Sequence, residues 1–136
     1  MVRLIMGEKG QGKTKKLIEM LHHAAQEEPG NVVCIEATRS MTYDIHYHIR
    51  LIDAKEFDLN SYDSFRGFIS GLYAGNYDIS HIFIDNLLKI TGGSVGKETD
   101  DFLNWLDAFS ERNGVKFTVS LSADASAATE SMQRYL

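Results

Sequence analysis

The feature that most constrains this chain is a glycine-rich octapeptide near its start. Residues 7–14 read Gly-Glu-Lys-Gly-Gln-Gly-Lys-Thr and match the pattern G-x-x-x-x-G-K-[ST] in full. This pattern is typical of a loop that binds phosphate between a strand and a helix. The apolar run at residues 2–6 predicts that strand. Apolar side chains at helical spacing predict the helix over residues 15–26. Both the octapeptide and the predicted strand and helix on either side of it therefore fit a phosphate-binding loop.

The chemistry of the octapeptide indicates how it would hold an anion. Glycines allow backbone conformations in which successive N–H groups point at a phosphate, and the following helix adds its positive dipole end. Lys13 would place its ammonium against the β- and γ-phosphates, and Thr14 would offer its hydroxyl to Mg²⁺. The alternative is a glycine-rich turn with a surface lysine. We expect the whole octapeptide to bind phosphate, with Lys13 also acting in catalysis: Gly7, Glu8, Lys9, Gly10, Gln11, Gly12, Lys13 and Thr14.

Hydrophobic patterns predict strands that alternate with helices along the rest of the chain. Buried strands are predicted by apolar runs at residues 32–36, 81–85 and 115–121, and by weaker alternation at 48–53. Helices are predicted at residues 61–73, 100–112 and 124–135, with a glycine-rich loop at 91–97. Such alternation favours a parallel sheet with right-handed crossovers. The sequence thus predicts an α/β fold, a three-layer α/β/α sandwich around a mainly parallel sheet of four or five strands, in one domain over residues 1–136.

The composition and charge of the chain indicate which partners and which cellular compartment to expect. The chain has 136 residues and a net charge of −5, so electrostatics does not favour nucleic acid as a partner. No apolar run approaches the length of a membrane span, so we expect no membrane contact. The first residues already form the strand before the octapeptide, and we therefore expect no signal peptide. The single cysteine, Cys34, lies in an apolar run, which indicates a buried thiol in a reducing, cytoplasmic setting.

Asp85 is the candidate second ligand for a metal ion. It follows the apolar residues Ile82, Phe83 and Ile84, and an acidic residue after a buried strand is typical of the Walker B motif. In a parallel sheet its strand would end at the same edge as the octapeptide, so Thr14 and Asp85 would together hold Mg²⁺. The alternative is an aspartate that caps a helix after the strand.

With these two motifs, the chain resembles the P-loop NTPases, and the order of its elements matches their fold over nearly its full length. It also resembles short bacterial ATP-binding proteins that are sometimes labelled twitching-motility ATPases. In many members a glutamate follows the Walker B aspartate, whereas Asn86 stands there in this chain. In RecA-like members the catalytic glutamate instead lies just after the strand that follows the phosphate-loop helix, where this chain has Glu36. The resemblance implies that Glu36 is the general base, and the alternative is a strand-end residue facing solvent.

Phosphoryl transfer often uses a further cation, which one chain or its neighbour can supply. Arg39 lies close to Glu36 in sequence, and Lys97 lies on the predicted loop after Asp85, so both are candidates; for each, the alternative is a solvated surface charge. Ser120 and Ser122 come at the end of the last strand, where RecA-like proteins place a polar residue that senses the γ-phosphate. The predicted loop at 91–97 has three glycines and no evident apolar anchor, so we expect it to be mobile.

Together these observations predict a protein that binds ATP, or another nucleoside triphosphate, with Mg²⁺ and hydrolyses it slowly. Two alternatives are a non-hydrolysing nucleotide sensor that acts through a protein partner and a small-molecule kinase. ATP is favoured over GTP only because the chain lacks a guanine-reading Asn-Lys-x-Asp sequence. A homo-oligomer or another protein partner could complete the site, and we expect the isolated monomer to turn over slowly.

Overall fold

The computed structural model describes residues 1–8, 10, 12–38 and 48–136. In this part of the chain, five strands alternate with helices of very different lengths. The strands are β1 (Val2–Gly7), β2 (Asn31–Glu36), β3 (Ile49–Asp53), β4 (Ile79–Asp85) and β5 (Lys116–Ser122). The helices are α1 (Lys13–Glu27), α2 (Tyr62–Gly75), α3 (Leu87–Thr91), α4 (Lys97–Asn113) and α5 (Glu130–Gln133).

The five strands form one parallel sheet in the order β1-β5-β4-β2-β3. The last strand of the chain, β5, therefore lies between β1 and β4. All five carboxyl ends meet at one edge, which brings together Gly7, Glu36, Asp85 and Ser122, the last residues of four strands. The predicted α/β fold and its mainly parallel sheet of four or five strands are confirmed.

Helices cover both faces of the sheet, because successive strand residues point to opposite sides. On one face, Leu17 and Leu21 of α1 pack against Ile5, Cys34 and Phe83 of the strands. On the other face, side chains of α2, α3, α4 and α5 pack against the alternate residues of the strands. Fully buried members of this second cluster include Phe65, Ile69, Ile82, Ile84, Phe102, Phe117 and Val119. The three-layer arrangement is thus confirmed, and Cys34 is buried as predicted.

Two segments differ from the sequence-based expectation. Thr91 belongs to α3 and Lys97 begins α4, so the predicted loop is only residues 92–96. The expected lack of an apolar anchor is wrong, because Val95 packs against the core and Thr99 donates a hydrogen bond to the Ser94 carbonyl (3.0 Å). Thr99 is buried and also contacts the Tyr62 hydroxyl of α2 (3.0 Å), so the start of α4 packs against α2.

The closing segment is also less helical than predicted. A continuous helix over 124–135 is replaced by a 3₁₀ turn at Ala125–Ala127 and by the four-residue helix α5. The side chains of Asp124 and Thr129 each accept a hydrogen bond from a backbone amide two or three residues later. Such caps compete with a continuous helix and start a new turn instead. None of the helices in the described ranges has the length and apolar character needed to cross a bilayer.

Candidate functional site

The octapeptide connects the end of β1 to the start of α1, as the sequence predicts. Gly7 is the last residue of β1, and Lys13 is the first of α1. Gly10 (φ 90°) and Gly12 (φ 80°) lie in the left-handed region that side chains rarely adopt. A Cβ at either position would meet no atom within 4 Å, so backbone conformation and not crowding requires glycine there. This conformation leaves open space beside the backbone at the start of α1.

The first turn of α1 is arranged as an anion site would be. Gly12 occupies the N-cap position, and no side chain among the described residues caps this terminus. The amides of a first turn have no partner inside the helix and carry its positive dipole end. The Lys13 Nζ donates to the Glu8 carbonyl (3.2 Å), which holds the ammonium beside the end of β1. Lys9 and Gln11, also predicted to bind phosphate, lie outside the described residues.

Asp85 ends β4 and is held by a neighbouring strand. The Ser120 hydroxyl of β5 donates to Asp85 Oδ1 (2.9 Å), and the Asn86 N–H donates to Ser120 Oγ (2.8 Å). Burial raises the pKa of the Asp85 carboxyl, while the Ser120 hydrogen bond and the charge of Lys13 act in the opposite direction. Asp85 does not cap a helix, since α3 has Asn86 at its N-cap, so the alternative role is excluded.

A cavity of about 900 Å³ lies at the carboxyl edge of the sheet and brings several of these residues together. Its walls include Lys13 and Thr14 from α1 and Asp85 from β4. The complete lining is Gly10, Gly12, Lys13, Thr14, Ala37, Thr38, Asp85, Asn86, Leu88, Lys89, Gly93, Ser94, Val95, Ser122 and Ala123. A hydroxyl and a carboxylate are the hard oxygen donors that Mg²⁺ prefers, and a lysine beside positive-φ glycines suits a phosphate. The residues present therefore fit Mg²⁺ and a nucleotide.

Glu36 is buried at the end of its strand and does not line the cavity. It ends β2, opposite Asp85 of β4 in register, and its exposed fraction is 1%. It is not among the described residues that line the cavity. The alternative that Glu36 faces solvent is therefore wrong, whereas its role as general base remains a prediction.

Lys89 is the residue that sequence reasoning missed. It lies on α3, is exposed, and is with Lys13 one of the two cationic side chains among the described residues of the cavity wall. Lys97 instead forms an ion pair with Asp101 on α4 (2.8 Å) and does not line the cavity, and Arg39 lies outside the described residues. The apolar pattern of Leu87, Leu88 and Ile90 is a signal for the short helix α3, but it does not indicate that Lys89 faces the cavity.

The two serines of β5 also differ from one another. Ser122 is exposed and lines the cavity, so it can contact a bound ligand. Ser120 is fully buried, and its hydroxyl is hydrogen-bonded to Asp85 and to the Asn86 amide. Of the two candidates for a phosphate sensor, only Ser122 reaches the cavity.

Comparison with solved structures places this arrangement in a known architecture. The crystal structure of flagellar accessory protein FlaH from Methanocaldococcus jannaschii superposes with a TM-score of 0.59 at 11% sequence identity. The fold is RecA-like. The superposition covers 98% of this chain but 65% of FlaH, so this RecA-like chain spans about two thirds of the length of that neighbour. No family model matches the sequence, and no curated protein is significantly similar to it.

The RecA-like fold explains why the cavity forms where it does. In an open parallel sheet, ligands bind outside the carboxyl ends of the strands. Here β1 contributes the loop, β4 contributes Asp85, and β5 between them contributes Ser120 and Ser122. The likeness to FlaH at this identity concerns the fold, so the chemistry of the site depends on this chain's own residues.

Proposed function

We propose that this protein binds ATP, or another nucleoside triphosphate, together with Mg²⁺ and hydrolyses it slowly. The observation that supports the proposal is the shared cavity at the carboxyl edge, where Lys13, Thr14 and Asp85 meet beside the glycines of the octapeptide. Each of these residues has the chemistry that a metal-bound triphosphate requires, and they come from separate elements of the fold. A turn with a surface lysine would not need a carboxylate at the same place.

The proposed roles follow from the position of each residue. The backbone amides at the start of α1 and the Lys13 ammonium would bind the phosphates, and Thr14 and Asp85 would hold Mg²⁺. When bound, Mg²⁺ would supply positive charge to the phosphate oxygens. Catalysis by such a site depends mainly on positioning and electrostatic stabilisation. We therefore expect modest turnover from the chain's own residues.

Calorimetric titration tests the proposal most simply. The folded protein is titrated with ATP and with GTP, each with Mg²⁺ and with EDTA. We expect saturable binding of at least one triphosphate that tightens when Mg²⁺ is present. Absence of binding by both nucleotides would refute the proposal, and equal binding of ATP and GTP would show that the site reads only the triphosphate.

Glu36→Gln is expected to lower ATP hydrolysis about 100-fold while ATP affinity changes less than about threefold. Glutamine keeps the shape of glutamate and cannot accept a proton at neutral pH. Glu36 pairs with Asp85 in the register of the sheet and so ends its strand at the edge that holds the cavity. To act as the base, its buried side chain would have to turn toward the attacking water. Phosphate release and calorimetric affinity are measured on the same preparation.

Asp53→Asn provides the matched control, because Asp53 ends β3 and pairs with Glu36 in the register of the sheet. It removes one carboxylate from the same edge, and we expect hydrolysis to be unchanged. Hydrolysis by Glu36→Gln at the original rate would show that Glu36 is not the base.

Lys89→Ala is expected to reduce hydrolysis at least about tenfold, with little change in ATP affinity. Lys89 lines the cavity, and no hydrogen bond or ion pair to another described residue holds its ammonium elsewhere. A cation that approaches the γ-phosphate acts mainly on the transition state, so turnover is affected more than binding. The measurement compares the turnover number and the dissociation constant of Mg·ATP.

Lys97→Ala is the control for the loss of a lysine nearby, since its partner is Asp101 on α4. We expect that variant to hydrolyse ATP as the original protein does. If Lys89→Ala also retains full turnover, the cation comes from Arg39 or from a second copy of the chain. Specific activity measured over a wide range of protein concentration then separates these two sources.

A non-hydrolysing nucleotide sensor is the second candidate, and the burial of Glu36 favours it. A carboxylate with 1% exposure is poorly placed to contact a water molecule in the cavity. Phosphate release separates the two functions: binding of Mg·ATP without any release would favour the sensor. A kinase would release phosphate slowly but transfer it to an added acceptor, so assays with candidate acceptors detect this third class.

A further inference from the structure

The carboxylate of Asp85 is fixed by a chain of two hydrogen bonds that crosses from β4 to β5 and back. The Asn86 N–H donates to Ser120 Oγ (2.8 Å), and the Ser120 hydroxyl donates to Asp85 Oδ1 (2.9 Å). A serine hydroxyl carries a single hydrogen. Its oxygen accepts from the Asn86 amide, and its one hydrogen goes to Oδ1, because an ionised carboxylate has no hydrogen and can only accept.

The backbone at Asn86 strengthens this arrangement. Asn86 is the one residue other than glycine with a positive φ among the described residues (φ 58°, ψ 60°). Asparagine tolerates this left-handed conformation better than most residues. The turn redirects the chain from β4 into α3 and aims the Asn86 amide at the neighbouring strand. The hydroxyl of Ser120 therefore connects the turn, the central strand β5 and the metal-binding candidate.

Ser120 cannot itself contact a ligand in the cavity. Its exposed fraction is 0%, and Ser122, two residues later on the same face of β5, is the serine that reaches the cavity wall. Any effect of Ser120 on a bound nucleotide must therefore pass through Asp85 or Asn86.

We propose that Ser120 is a positioning residue for the Mg²⁺ site: its hydrogen bond to Oδ1 fixes the orientation of the Asp85 carboxylate, which would hold the metal. This inference rests on the proposed function. Hydrogen bonds to the ligands of a metal orient them, and their loss commonly weakens metal binding by about 10- to 100-fold. Ser120 can contact Asp85 because β5 pairs with β4. On its other side β5 pairs with β1, the strand that leads into the phosphate loop.

The test measures metal coupling, defined as the ratio of the ATP dissociation constants in EDTA and in Mg²⁺. For Ser120→Ala we expect this ratio to fall roughly tenfold. Affinity for ATP in EDTA should remain unchanged, because the phosphate loop is intact. In an Asp85→Asn background the same substitution should have no further effect, since Ser120 acts through the Asp85 carboxylate.

Thr118→Val is the matched control for loss of a buried hydroxyl. Thr118 lies two residues earlier on the same face of β5 and contacts His81, not Asp85 (2.8 Å). We expect a loss of stability with unchanged metal coupling.

If Ser120→Ala fails to fold, Ser120→Cys keeps the size of the side chain and replaces a strong donor by a weak one. Metal coupling should then fall in the same direction.

The outcomes separate this inference from the proposed function. If the original protein binds neither ATP nor GTP, the proposed function fails and this inference fails with it. If the original protein binds ATP and Ser120→Ala keeps full metal coupling, the role of Ser120 is refuted and the function stands. Equal losses of affinity with and without Mg²⁺, or an added loss in the Asp85→Asn background, would show general damage to the fold and would also refute the positioning role.

Discussion

Lys13→Ala is expected to weaken ATP binding roughly 100-fold, or by about 3 kcal/mol, without unfolding the chain. Lys13 lies at the junction of the loop and α1, where its ammonium lines the cavity beside Thr14 and Asp85. Charge-assisted bonds to phosphate are among the strongest that a side chain makes. In the absence of ligand the Nζ contacts only the Glu8 carbonyl among the described residues, so we expect a stability change of about 0.5 kcal/mol or less.

Lys16→Ala is the matched control, because Lys16 is an exposed lysine one turn further along α1 that does not line the cavity. It removes the same charge from the same helix. Calorimetry should therefore show normal ATP affinity for Lys16→Ala and weak binding for Lys13→Ala. Similar affinities for the two variants would mean that the octapeptide is not the phosphate site.

Acidification from pH 7 to pH 4 is expected to cost about 3 kcal/mol of stability through one buried histidine, His81. His81 lies on β4 at the opposite edge of the sheet from the cavity and is 7% exposed. Its Nε2 contacts the Thr118 hydroxyl (2.8 Å), and its ring stacks on Phe83 at 4.2 Å between centroids. Burial lowers the pKa of His81 from its ordinary value of 6.5 to about 4.

Charged neighbours modify the effect of burial on His81. The carboxylate of Glu28, 3.5 Å from Nδ1, acts to raise the pKa of His81, while Lys116 and the N-terminal amine act to lower it. Burial also acts to raise the pKa of Glu28. Hydrogen bonds from Lys116 and Ser80, together with the charges of His81 and Lys116, lower it overall. At neutral pH, Glu28 is thus ionised and paired with Lys116 (2.8 Å), while His81 is neutral.

The direction of the pH effect follows from the lowered pKa of His81. As pH decreases, the unfolded chain takes up a proton near pH 6.5, whereas the folded chain resists until about pH 4. The stabilisation is therefore complete above pH 6.5 and is lost progressively between pH 6.5 and pH 4. Urea unfolding at pH 7, 5.5 and 4 measures this loss.

His81→Gln should remove this part of the acid sensitivity, because glutamine does not titrate and can still contact Thr118. His22→Gln, at an exposed position on α1, should keep the original pH dependence. Parallel stability curves for His81→Gln and the original protein between pH 6.5 and 4 would contradict the assignment.

Local patterns were sufficient to predict the fold class and the strand, loop and helix around the candidate site. The apolar run at residues 2–6, the octapeptide and the spacing of Leu17 and Leu21 predict β1, the loop and α1, and each depends on neighbours in sequence. The prediction that Asp85 follows a buried strand is confirmed for the same reason. Parallel pairing then brings Asp85 to the edge that holds Thr14 without any further information.

Contacts between distant residues account for what the sequence could not predict. Ser120 meets Asp85 only because β5, last in the chain, inserts between β1 and β4. Neither the burial of Glu36 nor the entry of Lys89 into the cavity wall follows from spacing, since both depend on how the chain turns after a strand. Val95 anchors a segment that composition alone describes as a loose glycine loop.

The most direct test of the central claim is a ¹H–¹⁵N correlation spectrum of the 15.3 kDa protein titrated with Mg·ATP. If the octapeptide binds the phosphates, the largest shifts will occur at the amides of Gly10, Gly12, Lys13 and Thr14, with further shifts at Asn86. An unchanged spectrum, or shifts confined to residues around His81 and Lys116 at the opposite edge of the sheet, would contradict the account.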